Sequence, residues 1–124
     1  MNPVICSLSQ ICKGNVNGDQ QVDLVVRNTK IRIQHALIGG KAVSVQDSQL
    51  ILDQNGFKCK ITNPNELIKG RFSPKIGDYC VAVIRISKIT KKMSTAMAIK
   101  LMKCDNFLYF EKHMQGLGII LIPI

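Results

Sequence analysis

The residues in this chain best suited to chemistry are lysines placed to meet an anion. Lys58 and Lys60 alternate with Phe57, Cys59 and Ile61. A period of two puts both ammonium groups on one side of a strand and the apolar side chains on the other. Lys88, Lys91 and Lys92 cluster further along, around a stretch read as a turn. Cations so spaced suit a phosphate backbone, which is held by counter-charge rather than transformed. The chain carries 17 Lys and Arg against 8 Asp and Glu, a net charge of +9 over 124 residues. Residues 57–104 hold eleven of the basic residues and only Glu66 and Asp78 as acids, while residues 1–56 sum to +1 and residues 105–124 to −1. The excess therefore belongs to one region, and acidic partners such as nucleic acid, an anionic membrane surface or an acidic protein come first.

Other chemistries find little support. The five cysteines, at positions 6, 12, 59, 80 and 104, are odd in number, form no C-x-x-C pair and sit among apolar neighbours. That is the pattern of reduced, buried thiols rather than of a disulfide framework. Cys6, Cys12, His35 and His113 could in principle ligate a metal, but no recognised ligand spacing links them, so neither metal nor cofactor is expected. There is no phosphate-cradling glycine loop ending in Lys-Ser/Thr, no H-E-x-x-H and no nucleophile elbow, and the acids occur singly. An enzyme is not expected. No apolar run approaches the ~18 residues needed to span a bilayer. The opening Met1-Asn2-Pro3-Val4-Ile5-Cys6 lacks the basic start and cleavage site of a signal peptide. The expectation is a soluble intracellular protein with no membrane partner.

The elements that must position the lysines follow from periodicity and turn chemistry. Residues 4–12 suit one helical face or an irregular apolar arm, residues 14–19 a loop, and 22–26 a short strand closed by Arg27-Asn28-Thr29-Lys30. Strands are then predicted at 34–45, 49–53 and 57–62. Asn55-Gly56 between the last two supplies the positive backbone angles of a tight hairpin. Gly39-Gly40 inside the first of the three predicts a bulge or sharp bend. Asn63-Pro64-Asn65-Glu66 predicts a turn of helix, and a connector leads to strands at 79–89 and 96–104 that pair as a hairpin. Asp105-Asn106 caps an amphipathic helix at 106–115, after which Leu117 to Ile124 form an apolar tail.

Five strands in this order, with one connector and a closing helix, predict an all-β chain with a C-terminal helix: a five-stranded Greek-key OB-fold barrel. The expected layout is one domain over residues 1–124, with an N-terminal arm (1–30), the barrel (34–104) and the C-terminal helix and tail (106–124).

The segments Ile38-Gly39-Gly40-Lys41-Ala42-Val43, Leu50-Ile51-Leu52-Asp53, Phe57-Lys58-Cys59-Lys60-Ile61, Ile76-Gly77-Asp78-Tyr79-Cys80-Val81-Ala82-Val83 and Ala98-Ile99-Lys100-Leu101 resemble the small single-OB subunits of genome-maintenance complexes. The spacing is most similar to the small subunit of the RecQ-mediated genome instability complex. The small subunits of replication protein A and of the telomeric CST complex come next. The resemblance implies a nuclear, noncatalytic adaptor that pairs with an OB domain of a larger subunit and, through it, with a Bloom-type helicase and a type IA topoisomerase. It also implies a closing helix that packs on the partner, which here falls on Phe107, Leu108, Phe110, Glu111 and Met114.

The tail adds to that surface. Ile119, Ile120, Leu121 and Ile122 show no alternation to hide half their side chains, as at an interface, the alternative being that residues 107–124 fold back over one open end of their own barrel. Lys58, Lys60, Lys88, Lys91 and Lys92 form the candidate nucleic-acid contact. Aromatic platforms for stacking are few, since Phe57 is expected to face inward and Tyr79 lies at the connector. The two functions that stand are a partner-held OB subunit with a secondary DNA contact and an autonomous binder of single-stranded DNA or RNA.

Overall fold

Alternation of apolar and polar residues from Ala36 to Lys103 resolves into five strands that close on one another. The computed structural model describes residues 4–18, 21–26, 28–46, 49–62, 74–104 and 120–121. In chain order these form β1 (Val4–Ile5), α1 (Leu8–Cys12), β2 (Asn15–Val16), β3 (Val22–Val26), β4 (Thr29–Ile33), β5 (Ala36–Gln46), β6 (Gln49–Gln54), β7 (Phe57–Thr62), β8 (Tyr79–Ile89), β9 (Met93–Lys103) and β10 (Ile120–Leu121). Neighbours run β5-β6-β7-β9-β8, and β8 pairs back onto β5 to close the barrel. Every pairing in this ring is antiparallel except β7 with β9, which is parallel. That order is the Greek key of the OB-fold.

Closure depends on β5, whose residues 36–41 pair with β8 and whose residues 41–46 pair with β6. A Cβ on Gly40 would lie 2.8 Å from the Asp53 carbonyl oxygen, so only glycine lets β6 approach where β5 changes neighbours. The bulge expected at Gly39-Gly40 lies instead between Ala42 and Ser44, with Val43 as the extra, exposed residue. The glycine thus serves the close approach, and the inserted residue next to it supplies the extra twist. The β6–β7 hairpin forms as expected, with Asn55 at φ 54° and Gly56 at φ 86°.

Inward-facing residues fill the barrel in rows across the strands. Ala42, Leu52, Cys59 and Ser94 follow one another in register, as do Leu50, Ile61, Ala96 and Ile86, and all are buried. The Ser94 hydroxyl is satisfied by donating to the Lys58 carbonyl at 3.4 Å. One end of the barrel is covered by α1, which packs on β3, β6, β7 and β9 and buries Leu8 and Ile11 fully. Ser7 and Gln10 form a reciprocal capping box at its start. The buried Gln54 side chain accepts from the Leu8 amide at 3.0 Å, which pins the helix to the end of β6.

The N-terminal stretch is more ordered than the expected arm and loop. β2, β3 and β4 form a separate three-stranded sheet. β3 matches the expected strand at 22–26, but β4 takes up residues 29–30, which were expected to end it. Asn28, at φ 65°, makes the tight turn between them, a left-handed conformation that asparagine tolerates. The first barrel strand accordingly begins at Ala36 rather than at 34, and the last begins at Met93 rather than at 96. β10 pairs antiparallel with β1, which runs parallel beside β5, so the backbone of Ile120 and Leu121 lies on this chain's own N-terminal strand. The expected turn of helix from Asn63, the closing helix at 106–115, and Phe107, Leu108, Phe110, Glu111, Met114, Ile119 and Ile122 lie outside the described residues. Among the described residues no helix is long and apolar enough to cross a membrane.

Candidate nucleic-acid interface

Residues opposite one another in a sheet share a face, so the register shows which lysines meet. Around the outside of the barrel one row runs Tyr79, Lys41, Asp53, Lys58 and Met93. The adjacent outer row runs Ser44, Ile51, Lys60, Thr95 and Lys88. Lys58, Lys60 and Lys88, widely separated in sequence, therefore fall on neighbouring outer rows. The β8–β9 turn adds Lys91 and Lys92, both exposed. It is tied to the same face, because the Lys58 amide donates to the Lys92 carbonyl at 2.8 Å. Thr90 closes the turn by donating its amide to the Met93 carbonyl at 2.7 Å. All five sequence-predicted lysines are thus brought to one side of the barrel.

A bulge is responsible for the position of Lys88. The register of β8 and β9 shifts between Ile86 and Lys88, leaving Ser87 without an opposite residue, its hydroxyl donating to the Thr95 carbonyl at 3.1 Å. In a regular ladder Lys88 would stand opposite the buried Ser94; the inserted Ser87 puts it opposite Thr95, on the outer surface.

Three residues on this face were not among the sequence-predicted site. Lys41 stands between the buried Gly40 and Ala42, and that alternation is the signal that would have found it. Asp53, expected as the last residue of the strand 49–53, lies in register between Lys41 and Lys58, and its carboxylate Oδ1 is 3.4 Å from Lys58 Nζ. The two side chains are 28% and 42% exposed, so the pair is worth about 0–1 kcal/mol. Tyr79, expected at the start of a strand, is 41% exposed and in register with Lys41, so one aromatic ring does border the basic face. Phe57 packs against the core, as its alternation predicted.

The remaining chemistry-bearing groups are positioned as core or support. Burial pushes the Cys6 and Cys59 thiols up to about 12 and Cys80 to about 11, and raises Cys12 as well. These thiols stay protonated at neutral pH and are poor nucleophiles. Among the described residues no three His, Cys, Asp or Glu side chains gather to hold a metal. Burial, then Arg85 and the chain N-terminus, hold His35 below its ordinary pKa, so it is neutral at physiological pH and adds no charge to the basic face.

A second outer surface is mixed. Met97, Ile99 and Met102 are exposed along β9 beside exposed Lys100 and Lys103, with exposed Arg85 opposite Met97. Ile99 is the extra residue of a further register shift, between the pairs Val83–Lys100 and Ile84–Ala98.

No family model matches the chain, and no curated protein matches it by sequence. Among solved structures, the chain is similar to the telomere capping protein Ten1 from Saccharomyces pombe, with a TM-score of 0.61 at 10% identity over 90% of this chain and 93% of that one. It is also similar to a chain of the S. pombe Stn1–Ten1 complex, with a TM-score of 0.60 at 10% identity over 90% of this chain and 88% of that one. At that identity the likeness is one of fold: the chain is an OB-fold.

Proposed function

We propose that this protein is a noncatalytic OB-fold subunit of the telomere-capping kind, acting in the nucleus, held to a larger OB-fold partner and contacting single-stranded DNA through the outer face of β5, β6 and β7. The observation that carries this reading is the reciprocal extent of the likeness to Ten1, which takes in nine tenths of both chains rather than a barrel alone. Ten1 stands in a complex with Stn1. Among the resemblances suggested by sequence, this favours the CST-type subunit over the RecQ-mediated genome instability subunit. The helicase and type IA topoisomerase partners of the latter draw no support from these structures. Partner contact is assigned to Phe107, Leu108, Phe110, Glu111, Met114, Ile119 and Ile122 on the sequence grounds given above, whereas Ile120 and Leu121 pair with β1 of this chain, so part of the tail covers its own sheet.

The test is recovery of the full chain from native extract, followed by identification of what co-purifies. A larger OB-fold subunit that is lost on deleting residues 117–124 is the expected result. A chain that sediments as a clean monomer and retains no larger subunit overturns the adaptor reading. A second reading, an autonomous single-strand binder, is favoured by the placement of Lys58 and Lys60 on β7 beside the β8–β9 turn that carries Lys91 and Lys92, with Lys88 opposite Thr95 on the neighbouring strand. Sub-micromolar oligonucleotide binding by the isolated chain, with steep salt dependence, would favour it.

A further inference from the structure

Every lysine of the basic face would be available to a phosphate backbone except where a carboxylate already occupies the place. Asp53 is the one described acid on the two outer rows that carry Lys41, Lys58, Lys60 and Lys88. It holds Lys58 at 3.4 Å and stands directly across from Lys41. Its partner strand is fixed by the tight Asn55-Gly56 hairpin, so the carboxylate cannot move away from Lys58 by a change of register. We infer that the Asp53 carboxylate is a built-in competitor for the DNA phosphate: it occupies Lys58 in the free protein and must be displaced, or tolerated as a like charge, when a single strand binds. This inference rests on the DNA-contact part of the reading above and names the residue that sets its strength.

The physical reason is additive. A surface ion pair of this kind is weak and solvent-screened, so a phosphate can compete for the lysine. The acid then remains beside the phosphate and repels it. Removing the acid both frees one cation and deletes one repulsion. Each additional phosphate neutralised on a single strand steepens the dependence of log affinity on log salt by ~0.7.

The experiment measures binding of a fluorescein-labelled 15-residue oligothymidylate to the full chain across a salt series, with wild type, Asp53→Asn and Asp53→Ser. Both variants remove the charge with different hydrogen-bonding side chains, and circular dichroism checks that each is folded. The expected result is affinity about three- to tenfold tighter in both, a salt slope steeper by ~0.7, and a gain that falls below about twofold when Lys58→Met is added. Unchanged affinity in both variants, with binding still lost on neutralising Lys58 and Lys60, overturns the role of Asp53 and leaves the DNA contact standing. A gain that persists undiminished in the Lys58→Met background also overturns it, because the effect would then be one of overall charge. No binding by any variant at low salt removes the DNA contact and this inference with it.

Discussion

The outer face of β6 and β7 and the outer face of β9 are built on the same inner lining yet present different side chains to solvent, regularly spaced lysines on one and exposed methionines among basic residues on the other. On β7, Lys58 and Lys60 alternate with the buried Cys59 and Ile61. On β9, Met97 and Met102 are exposed beside the buried Ala96, Ala98 and Leu101. Both strands keep the barrel dry in the same way, since Cys59 and Ser94, and Ile61 and Ala96, are opposite neighbours across the parallel β7–β9 seam. The inner half of each alternation therefore serves the fold and the outer half is free to vary. One face offers fixed cations on two adjoining rows to a polyanion, and the other sets exposed methionines among the cations Arg85, Lys100 and Lys103.

The sharpest way to break the comparison is to remove what the faces share. Leu52, fully buried between Ala42 and Cys59, cut to alanine should cost about 2–5 kcal/mol in denaturant unfolding. Oligothymidylate binding should be lost in proportion to the unfolded fraction. Next, Lys58→Gln with Lys60→Gln should weaken oligothymidylate binding by about tenfold and reduce the salt slope by ~0.7, because Asp53 already offsets Lys58 in the wild type. Met97→Ser with Met102→Ser should leave that binding unchanged; equal losses from the two pairs would erase the distinction between the faces. Gly56→Ala, placed at φ 86° in the hairpin that sets the register of the basic face, should cost about 1 kcal/mol. Thermal unfolding checks it, and the same substitution leaves the β8–β9 pairing untouched.

The smallest effect lies away from both faces, in the β3–β4 hairpin. The Arg32 side chain donates to the Asp23 carboxylate at 2.8 Å, and Lys30 lies 3.8 Å away. The Arg32 hydrogen bond is the main reason the Asp23 carboxyl lies below its ordinary pKa. A carboxyl lowered by folding contributes stability above its unfolded pKa and loses it as pH falls through its folded one. Asp23→Asn should thus lower the unfolding midpoint slightly at neutral pH, and the difference from wild type should vanish in acid.

The strands of the barrel were legible because each carries alternation bounded by turn residues. Asn55-Gly56 marked its hairpin unambiguously, since both residues adopt the left-handed angles that few others accept. The basic face was legible on β7 for the same reason. β4 was not, because Arg27-Asn28-Thr29-Lys30 read as the end of the strand before it, although Thr29 and Lys30 already belong to β4. Asp53 was placed in its strand, but its role was not legible, because its pairing with Lys58 depends on the cross-strand register that only the folded hairpin sets. The bulges at Val43, Ser87 and Ile99 carry no residue signature at all. They arise from fitting strands of unequal path into a closed ring, a requirement that exists only once the ring is formed.

The seam between β5 and β8 has a kinetic consequence. Leu37 pairs with Val83 and Lys41 with Tyr79, and the parallel β7–β9 pairing joins Lys58 to Met93. Within the barrel the β5–β6, β6–β7 and β8–β9 hairpins form from residues close in sequence, whereas closing the ring requires long loops to be ordered first. A nascent chain therefore holds its first three barrel strands as an open sheet until residues near 103 have been made, and folding proceeds at the slow pace of high contact order.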